Sequence, residues 1–245
     1  MRNIRLAIQY DGTRYKGWQR QKNRDDTIQS KLEIVLSRIT GEPINVIGAG
    51  RTDAGVHAQN QAANFHTSST LSLQRILDDC HRYLPEDIVI KSAEEADPRF
   101  HARYQARFKK YIYSIDNGRY HDVFLRRHAY HIGTPLDMKK MADACIFLRG
   151  RHDFRSFTSF ISKKKSTIVE LKDLHLTREN ELLSIHFEAQ SFLSHMIRII
   201  TGTLIEIGMG NLDRENLKEI LEKRERKAAA FTAPARGLCL ISVEY

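Results

Sequence analysis

A short glycine-rich segment holds the densest group of polar side chains in the sequence. Three glycines fall within residues 48–55, where they let the backbone bend and approach a ligand closely. Arg51, Thr52 and Asp53 lie among them, and His57 follows. A carboxylate in such a bend can act as a nucleophile or stabilise positive charge at a sugar carbon. The segment also suits a tight turn in which Asp53 bonds its own backbone, so both interpretations stay open on these residues alone.

Motifs for nucleotide cofactors and metals do not fit. In the pattern G-x-G-x-x-G that begins at Gly48, Asp53 stands where the third glycine is needed, and no helix is predicted to follow. The histidines and cysteines do not have the spacing of metal ligands. We therefore interpret His57, His152 and His195 as polar packing residues, and we predict neither a metal nor a cofactor.

A second candidate site is a strand predicted over residues 107–115. Alternation places Arg107, Lys109, Tyr111 and Tyr113 on one face. Cations with aromatic rings suit nucleic acid, because the charges meet phosphates and the rings meet bases. A half-buried strand with lysines extended along it is the structural alternative. The opposite face, with Phe108 and Ile112, is expected to supply the core.

The third candidate is Arg198, which lies in an otherwise apolar helical stretch, Ser191–Gly202. A buried guanidinium needs a partner, most simply a carboxylate. Asp53 is one candidate partner. Alternatively, Arg198 reaches solvent at the edge of the helix.

Composition narrows the class of protein. The 245 residues carry a formal charge of +9, which favours a polyanionic partner such as nucleic acid. No run of about 18 apolar residues is present, and no signal peptide is expected from the N-terminal sequence. Cys80, Cys145 and Cys239 are far apart and odd in number, so we expect reduced thiols in a cytoplasmic protein.

Hydrophobic periodicity predicts the elements that position these residues. The first half reads as strand, helix, two strands, helix and strand, and the second half repeats this order with one added helix. The split β-α-β arrangement implies an antiparallel sheet with helices on one face. Asp26 and Gln29 resemble a capping box at the first helix. We expect an N-terminal domain over residues 1–105 and a C-terminal domain over 106–245.

These residues resemble the TruA family of tRNA pseudouridine synthases. The signature loop of that family is similar to Gly50–Ala58, and the resemblance extends over nearly the whole chain. The other matching segments are Tyr10–Gln19, Leu84–Ile88, Phe100–Arg103, Lys109–Tyr113, His152–Phe157, Phe192–Gly202 and Ala233–Leu240.

The resemblance implies an α+β fold. It consists of two ferredoxin-like or RRM-like β-α-β-β-α-β domains that form an extended mixed or antiparallel sheet with a central cleft. Members of the family act as homodimers and isomerise uridines at positions 38, 39 and 40, in the anticodon stem-loop of tRNA. They use neither a cofactor nor a metal.

The resemblance also implies roles for particular residues. Asp53 is the catalytic nucleophile, Arg198 pairs with it, and Tyr111 packs on the target base and is a candidate proton acceptor. Arg51 helps to displace the base. Arg103, Arg107, Lys109 and the run Lys163–Lys165 are expected to hold phosphates. Relatives often carry an arginine where this sequence has Val169, which affects RNA contacts and not the catalytic set.

Two other functions remain open on the residues alone. A noncatalytic RNA-binding module would account for the charge and the basic, aromatic strand, and it would leave bound RNA unmodified. A nucleotide-dependent enzyme would account for the glycines at 48–50, although their spacing argues against it.

Overall fold

The chain divides into two units in the computed structural model, which describes residues 1–160 and 166–245. The first unit comprises Met1–Arg107 and Cys239–Tyr245, and the second comprises Phe108–Leu238. The lysine run at 163–165 lies outside the described residues. Within the described part of the chain, no helix is both long and apolar enough to cross a membrane.

Both units are mixed α+β structures, as predicted. The first contains β1 (Arg2–Tyr10), α1 (Ile28–Thr40), β2 (Ile47–Gly48), β3 (His57–Thr67), α2 (Leu73–Tyr83) and β4 (Ile88–Ala96). The second contains β5 (Phe108–Asp116), β6 (Tyr130–His131), α3 (Met138–Leu148), β7 (Gly150–Asp153), β8 (Ile168–Glu179), β9 (Leu182–Ala189), α4 (Met196–Gly208) and α5 (Asn216–Lys223). The last strand is β10 (Leu238–Glu244).

The sheet of the first unit has β1 at its centre. β1 pairs antiparallel with β3 on one side and with β4 on the other, and β2 pairs antiparallel with β3. Ile4, Leu6 and Ile8 of β1 are fully buried, which is the alternation that the sequence predicts. Burying each such side chain contributes roughly 1.5–3 kcal/mol. The predicted order of elements in this half is confirmed.

The final strand joins the first unit through the far edge of β3. β10 runs parallel to β3 and pairs Cys239 with His57 and Leu240 with Ala58, whereas β2 pairs with β3 at Ala63. The edge of β3 is long enough for both short partners. The sequence predicts one domain over 106–245, which includes β10, whereas the structure places Cys239–Tyr245 in the first unit. A local sequence pattern does not reveal the pairing partner of a strand.

The helix α1 begins differently from the sequence expectation. Its N-cap is Thr27, whose hydroxyl accepts a hydrogen bond from the backbone N–H of Ser30. Asp26 instead binds Arg24, and the side chain of Gln29 is buried in a network described below. The expected capping box is therefore wrong by one residue. The hydroxyl oxygen of a threonine accepts the hydrogen bond that an N-cap needs, as an aspartate carboxylate would.

The second unit builds its sheet in the order β5-β9-β8-β7, with each neighbouring pair antiparallel. The short strand β6 pairs parallel with β5. Leu183, Ile185 and Phe187 of β9 share one buried face. Helix α4 begins at Met196 rather than near residue 191, because His195 at its N-cap has a φ of 59°, which is left-handed backbone.

Candidate active site

The Gly50–Ala58 segment is anchored to the loop that follows β1. The carbonyl of Thr52 accepts a hydrogen bond from the backbone N–H of Trp18 at 3.0 Å. The hydroxyl of Thr52 bonds the phenol of Tyr10 at 2.9 Å in the interior of the first unit. Burial raises the pKa of Tyr10, and the Thr52 hydroxyl opposes that rise only in part. The phenol is therefore a neutral structural group that holds the segment in place.

Gly17 allows the backbones of these two loops to approach. Its φ is +90°, and a Cβ atom there would lie 2.7 Å from the carbonyl oxygen of Thr52 and 3.1 Å from the carbonyl carbon of Asp53. Any side chain at this position would push against the residue proposed for catalysis. Sequence reasoning did not single out Gly17 for this role, although it lies in one of the segments that carry the resemblance.

Asp53 lies in a tight turn and is partly exposed. The turn is closed by the main chain, with the N–H of Val56 donating to the carbonyl of Asp53 at 3.2 Å, and Gly55 supplies a φ of +78°. Arg51, two residues earlier, is exposed.

His57 packs against the start of the loop after β1, as predicted for a polar packing residue. It is 4% exposed, and its Nδ1 accepts a hydrogen bond from the backbone N–H of Gly12 at 3.1 Å. His152 and His195 also bond protein groups: the carbonyl of Arg149 at 2.7 Å for His152, and a serine hydroxyl for His195.

Tyr111 and Tyr113 share a face of β5, as predicted, but this face is the buried one. They are 7% and 0% exposed, and Tyr111 pairs with Phe187 of β9. Phe108 and Ile112, which were expected to supply the core, are only half-buried on the opposite face. That expectation is wrong, because the apolar face of β9 extends the Tyr111 face and not the other.

The two tyrosines have different surroundings. The ring of Tyr111 meets that of Phe192 edge-on, with centroids 5.3 Å apart. The hydroxyl of Tyr113 donates to the carbonyl of Pro234 at 2.8 Å. Burial raises the pKa of Tyr113, while the nearby Arg198 guanidinium opposes the rise. Tyr113 is therefore a neutral donor that ties β5 to the segment around Pro234.

The basic residues of the 107–113 segment differ in exposure. Lys109 is 8% exposed, and its ammonium group donates to the carbonyl of Gln190 at 3.1 Å. Arg107 is exposed and belongs to the first unit, where its backbone N–H bonds the carbonyl of Glu244. A phosphate contact by Lys109 would compete with its bond to Gln190, whereas Arg107 can reach solvent directly.

Arg198 is held on α4 by the chain that returns across it. Its Nε donates to the carbonyl of Ala233 at 2.7 Å, and the N–H of Ala233 donates to the carbonyl of Arg198 at 3.0 Å. One helical turn further on, a Cβ at Gly202 would fall 2.0 Å from the carbonyl oxygen of Phe231. A glycine there lets the 231–233 backbone pack directly on the helix and orient the arginine.

The proposed site residues are divided between the units. Asp53, Arg51 and Arg107 belong to the first unit, and Tyr111, Lys109 and Arg198 belong to the second. Within each unit the side chains stand on anchored backbone. The pairing of Asp53 with Arg198 stays a prediction.

Comparison with known proteins identifies the class. A family model described as tRNA pseudouridine synthase matches residues 6–105 and 144–245. The chain is 46% identical to "tRNA pseudouridine synthase A 1" of Clostridium tetani, and the match covers all of both chains. It is 44% identical to "tRNA pseudouridine synthase A" of Acetivibrio thermocellus and 40% identical to the protein of that name from Thermoanaerobacter sp., again over the full length of each.

The chain therefore belongs to the tRNA pseudouridine synthase family, whose members are isomerases. The resemblance to TruA proteins drawn from the sequence motifs is confirmed.

Proposed function

We propose that this protein isomerises uridine to pseudouridine in the anticodon stem-loop of tRNA, at positions 38, 39 and 40. The full-length similarity to proteins named tRNA pseudouridine synthase A carries this proposal. The net charge of +9 suits an RNA substrate. The reaction breaks the N1–C1′ bond and joins C5 to C1′, while N1 gains a proton and C5 loses one. Substrate and product are isomers, so the balance needs no cofactor.

Asp53 is the proposed nucleophile. Its backbone is held by Thr52, Gly17 and the turn at 53–56, which gives a carboxylate a defined starting position. A carboxylate can add to C1′, add to C6 of the base, or take the C2′ proton to form a glycal and return that proton when C5 joins C1′. The three routes make the same demand on the protein, namely a positioned anionic oxygen.

Tyr111 and Arg51 are proposed to compensate for extruding the target base. Flipping a base costs a few kcal/mol, and stacking on an aromatic ring returns about 1–3 kcal/mol. Tyr111 can supply this stacking surface, and as the phenolate it can accept the C5 proton after the new bond forms. Arg51 is exposed and has the length to fill the gap that the base leaves.

Arg198 is the proposed partner of Asp53. Its Nε is engaged by the carbonyl of Ala233, and its terminal amino groups can donate to a carboxylate. A guanidinium beside the aspartate would favour the ionised form and hold its rotamer. Substitutions at Asp53 and Arg198 should then have effects that do not add in a double-mutant cycle.

The test of the catalytic assignment is tritium release from RNA labelled at C5 of uridine. Asp53→Asn keeps the size of the side chain and removes its charge, so it should abolish release. Asp78→Asn, on the exposed face of α2, is the matched control and should release tritium like the wild type. Wild-type turnover by Asp53→Asn would exclude Asp53 as nucleophile. Tight RNA binding by the wild type without any product would favour a binding module instead.

Tyr111→Phe separates the two roles of the tyrosine. The phenyl ring should retain stacking affinity, whereas the loss of the hydroxyl should remove most of the activity. Affinity is measured by RNA titration and turnover by tritium release. An equal loss of both would show that the hydroxyl acts structurally.

We further propose a homodimer in the cytoplasm. An exposed segment of the second unit carries Tyr120 and Phe124, which are 77% and 85% exposed and suit a protein contact. Phe124→Ser should shift the protein to monomers in light scattering, whereas Ile146→Ser, on the exposed face of α3, should not. A dimeric Phe124→Ser variant would exclude this surface. The free cysteines agree with a reducing compartment.

A further inference from the structure

A pocket of about 250 Å³ opens in the first unit beside Arg51. Five stretches of that unit line it: Trp18–Gln19, Gln29, the 45–48 segment, Gly50–Arg51 and the loop at 101–104. The mechanism proposed above uses only Arg51 among them. Pockets for drug-sized ligands measure roughly 300–1,000 Å³, so this smaller pocket suits a single ring system rather than a dinucleotide.

One wall of the pocket is rigid before any ligand binds. The side-chain oxygen of Gln29 accepts hydrogen bonds from the side chain of Gln19 at 2.7 Å and from the backbone N–H of Arg20 at 2.9 Å. Its amide nitrogen donates to the carbonyl of Val46 at 3.0 Å and to the buried carboxylate of Glu33 at 2.9 Å. Gln29 thereby fastens three lining segments together.

The loop at 101–104 gives the pocket an aromatic rim. The rings of His101 and Tyr104 stack with centroids 4.2 Å apart and planes 29° apart. The Nδ1 atom of His101 accepts hydrogen bonds from the backbone N–H groups of Arg103 and Tyr104, which fixes the turn that presents the rings. Tyr104 is nevertheless 78% exposed. A large aromatic ring held at a pocket rim and left in solvent is a stacking surface.

The charge of the pocket is positive. Arg51 and Arg103 both line it and are exposed, and no acidic side chain is among the lining residues. Within the described residues, neither guanidinium takes part in a salt bridge or side-chain hydrogen bond. Two guanidinium groups beside an aromatic rim match a nucleotide, in which phosphate and base are one step apart.

We propose that this pocket binds a nucleobase of the RNA strand next to the target uridine. Tyr104 stacks on that base and Arg103 holds the adjoining phosphate, while Arg51 at the pocket edge remains available to fill the gap that the target base leaves. The inference rests on the proposed function, because Arg51 belongs to the loop that carries Asp53. It adds a second point at which the RNA is read, through the 101–104 loop and not through the carboxylate of Asp53.

The test pairs a protein change with an RNA change. Wild-type protein, Tyr104→Ala and Tyr104→Phe are titrated by fluorescence anisotropy with anticodon stem-loop RNAs, each lacking the base at one position around the target. The wild type should bind one of the abasic RNAs about 5- to 150-fold more weakly than intact RNA, which is the range expected for one base stack. On intact RNA, Tyr104→Ala should bind more weakly than the wild type by the same factor, and removing the base at that position should not weaken its binding further. Tyr104→Phe should behave like the wild type.

The controls separate this pocket from general effects. Tyr83→Ala removes another exposed tyrosine of the first unit, from α2, and should bind every RNA like the wild type. Arg103→Gln should weaken binding to all the RNAs by a similar factor and reduce the salt dependence. Thermal unfolding establishes that each variant is folded.

Two results would overturn the proposal. In the first, Tyr104→Ala binds intact RNA as tightly as the wild type does. In the second, Tyr104→Ala binds every abasic RNA more weakly than the wild type by one and the same factor. Failure of the proposed function has a different signature, since the wild type would then release no tritium. The anisotropy series tests the pocket in either case, because it measures binding and not turnover.

Discussion

Replacing Gly17 with alanine is expected to slow catalysis more than it destabilises the protein. The left-handed backbone at this residue costs an alanine roughly 1–2 kcal/mol. A new Cβ would also lie 2.7 Å from the Thr52 carbonyl oxygen, so the loop must move by about 0.7 Å to reach an ordinary contact of 3.4 Å. A displacement of about 1 Å at a catalytic group can cost on the order of 100-fold in rate. We expect kcat for tritium release to fall by about 10- to 100-fold.

Gly41→Ala is the matched control for the backbone cost. Gly41 follows α1 with a φ of +75°, and nothing lies within 4 Å of the position that its Cβ would take. Gly41→Ala should lower the melting temperature by about 2–8 °C, from a backbone cost of roughly 1–2 kcal/mol, and Gly17→Ala should lower it by at least as much, because its Cβ also meets the Thr52 carbonyl. Only Gly17→Ala should lose turnover. If its kcat stays within a factor of two of the Gly41→Ala value, Gly17 does not position the catalytic loop.

Three further outcomes are expected. Tyr113→Phe removes the hydrogen bond to the part-buried carbonyl of Pro234, so the melting temperature should fall by a few degrees for a cost of about 1 kcal/mol, and an unchanged value would contradict this role. Burial, and then the stacked ring of His175, lower the pKa of His186, so protonation of His186 below about pH 6.5 destabilises the folded protein. Between about pH 7.5 and 5.5 the melting temperature of His186→Gln should therefore fall less than that of the wild type. An equal fall would show that His186 does not contribute to the pH dependence of stability. Arg107→Gln should reduce the slope of log affinity for RNA against log salt by about 1, and an unchanged slope would rule out its phosphate contact.

Local periodicity was sufficient for most elements of the fold. Ile4, Leu6 and Ile8 alternate because every second residue of a strand faces the same way, and this is visible without any partner. The position of α4 was less predictable. Its first residues look helical, but the left-handed backbone at His195 delays the start of the helix to Met196.

The candidate site shows the same contrast. The Gly50–Ala58 segment could be singled out because its glycines and polar residues are adjacent in the chain. Its anchoring by Gly17 and Tyr10 could not, since those contacts join residues far apart in sequence. The aromatic rim at Tyr104 was also missed, because exposure and ring stacking do not leave a periodic pattern.

The sequence by itself determined the helices and the longer strands, though not the short strands β6 and β7, and it determined the family and the residues proposed for catalysis, because these follow from local spacing and from contiguous motifs. Only the tertiary structure decided that the Tyr111 face of β5 is buried, that Lys109 bonds Gln190, and that β10 pairs with β3. Each of these depends on which distant segment packs against the residue. A strand has two faces and two edges, and its own pattern does not reveal which neighbour will cover them.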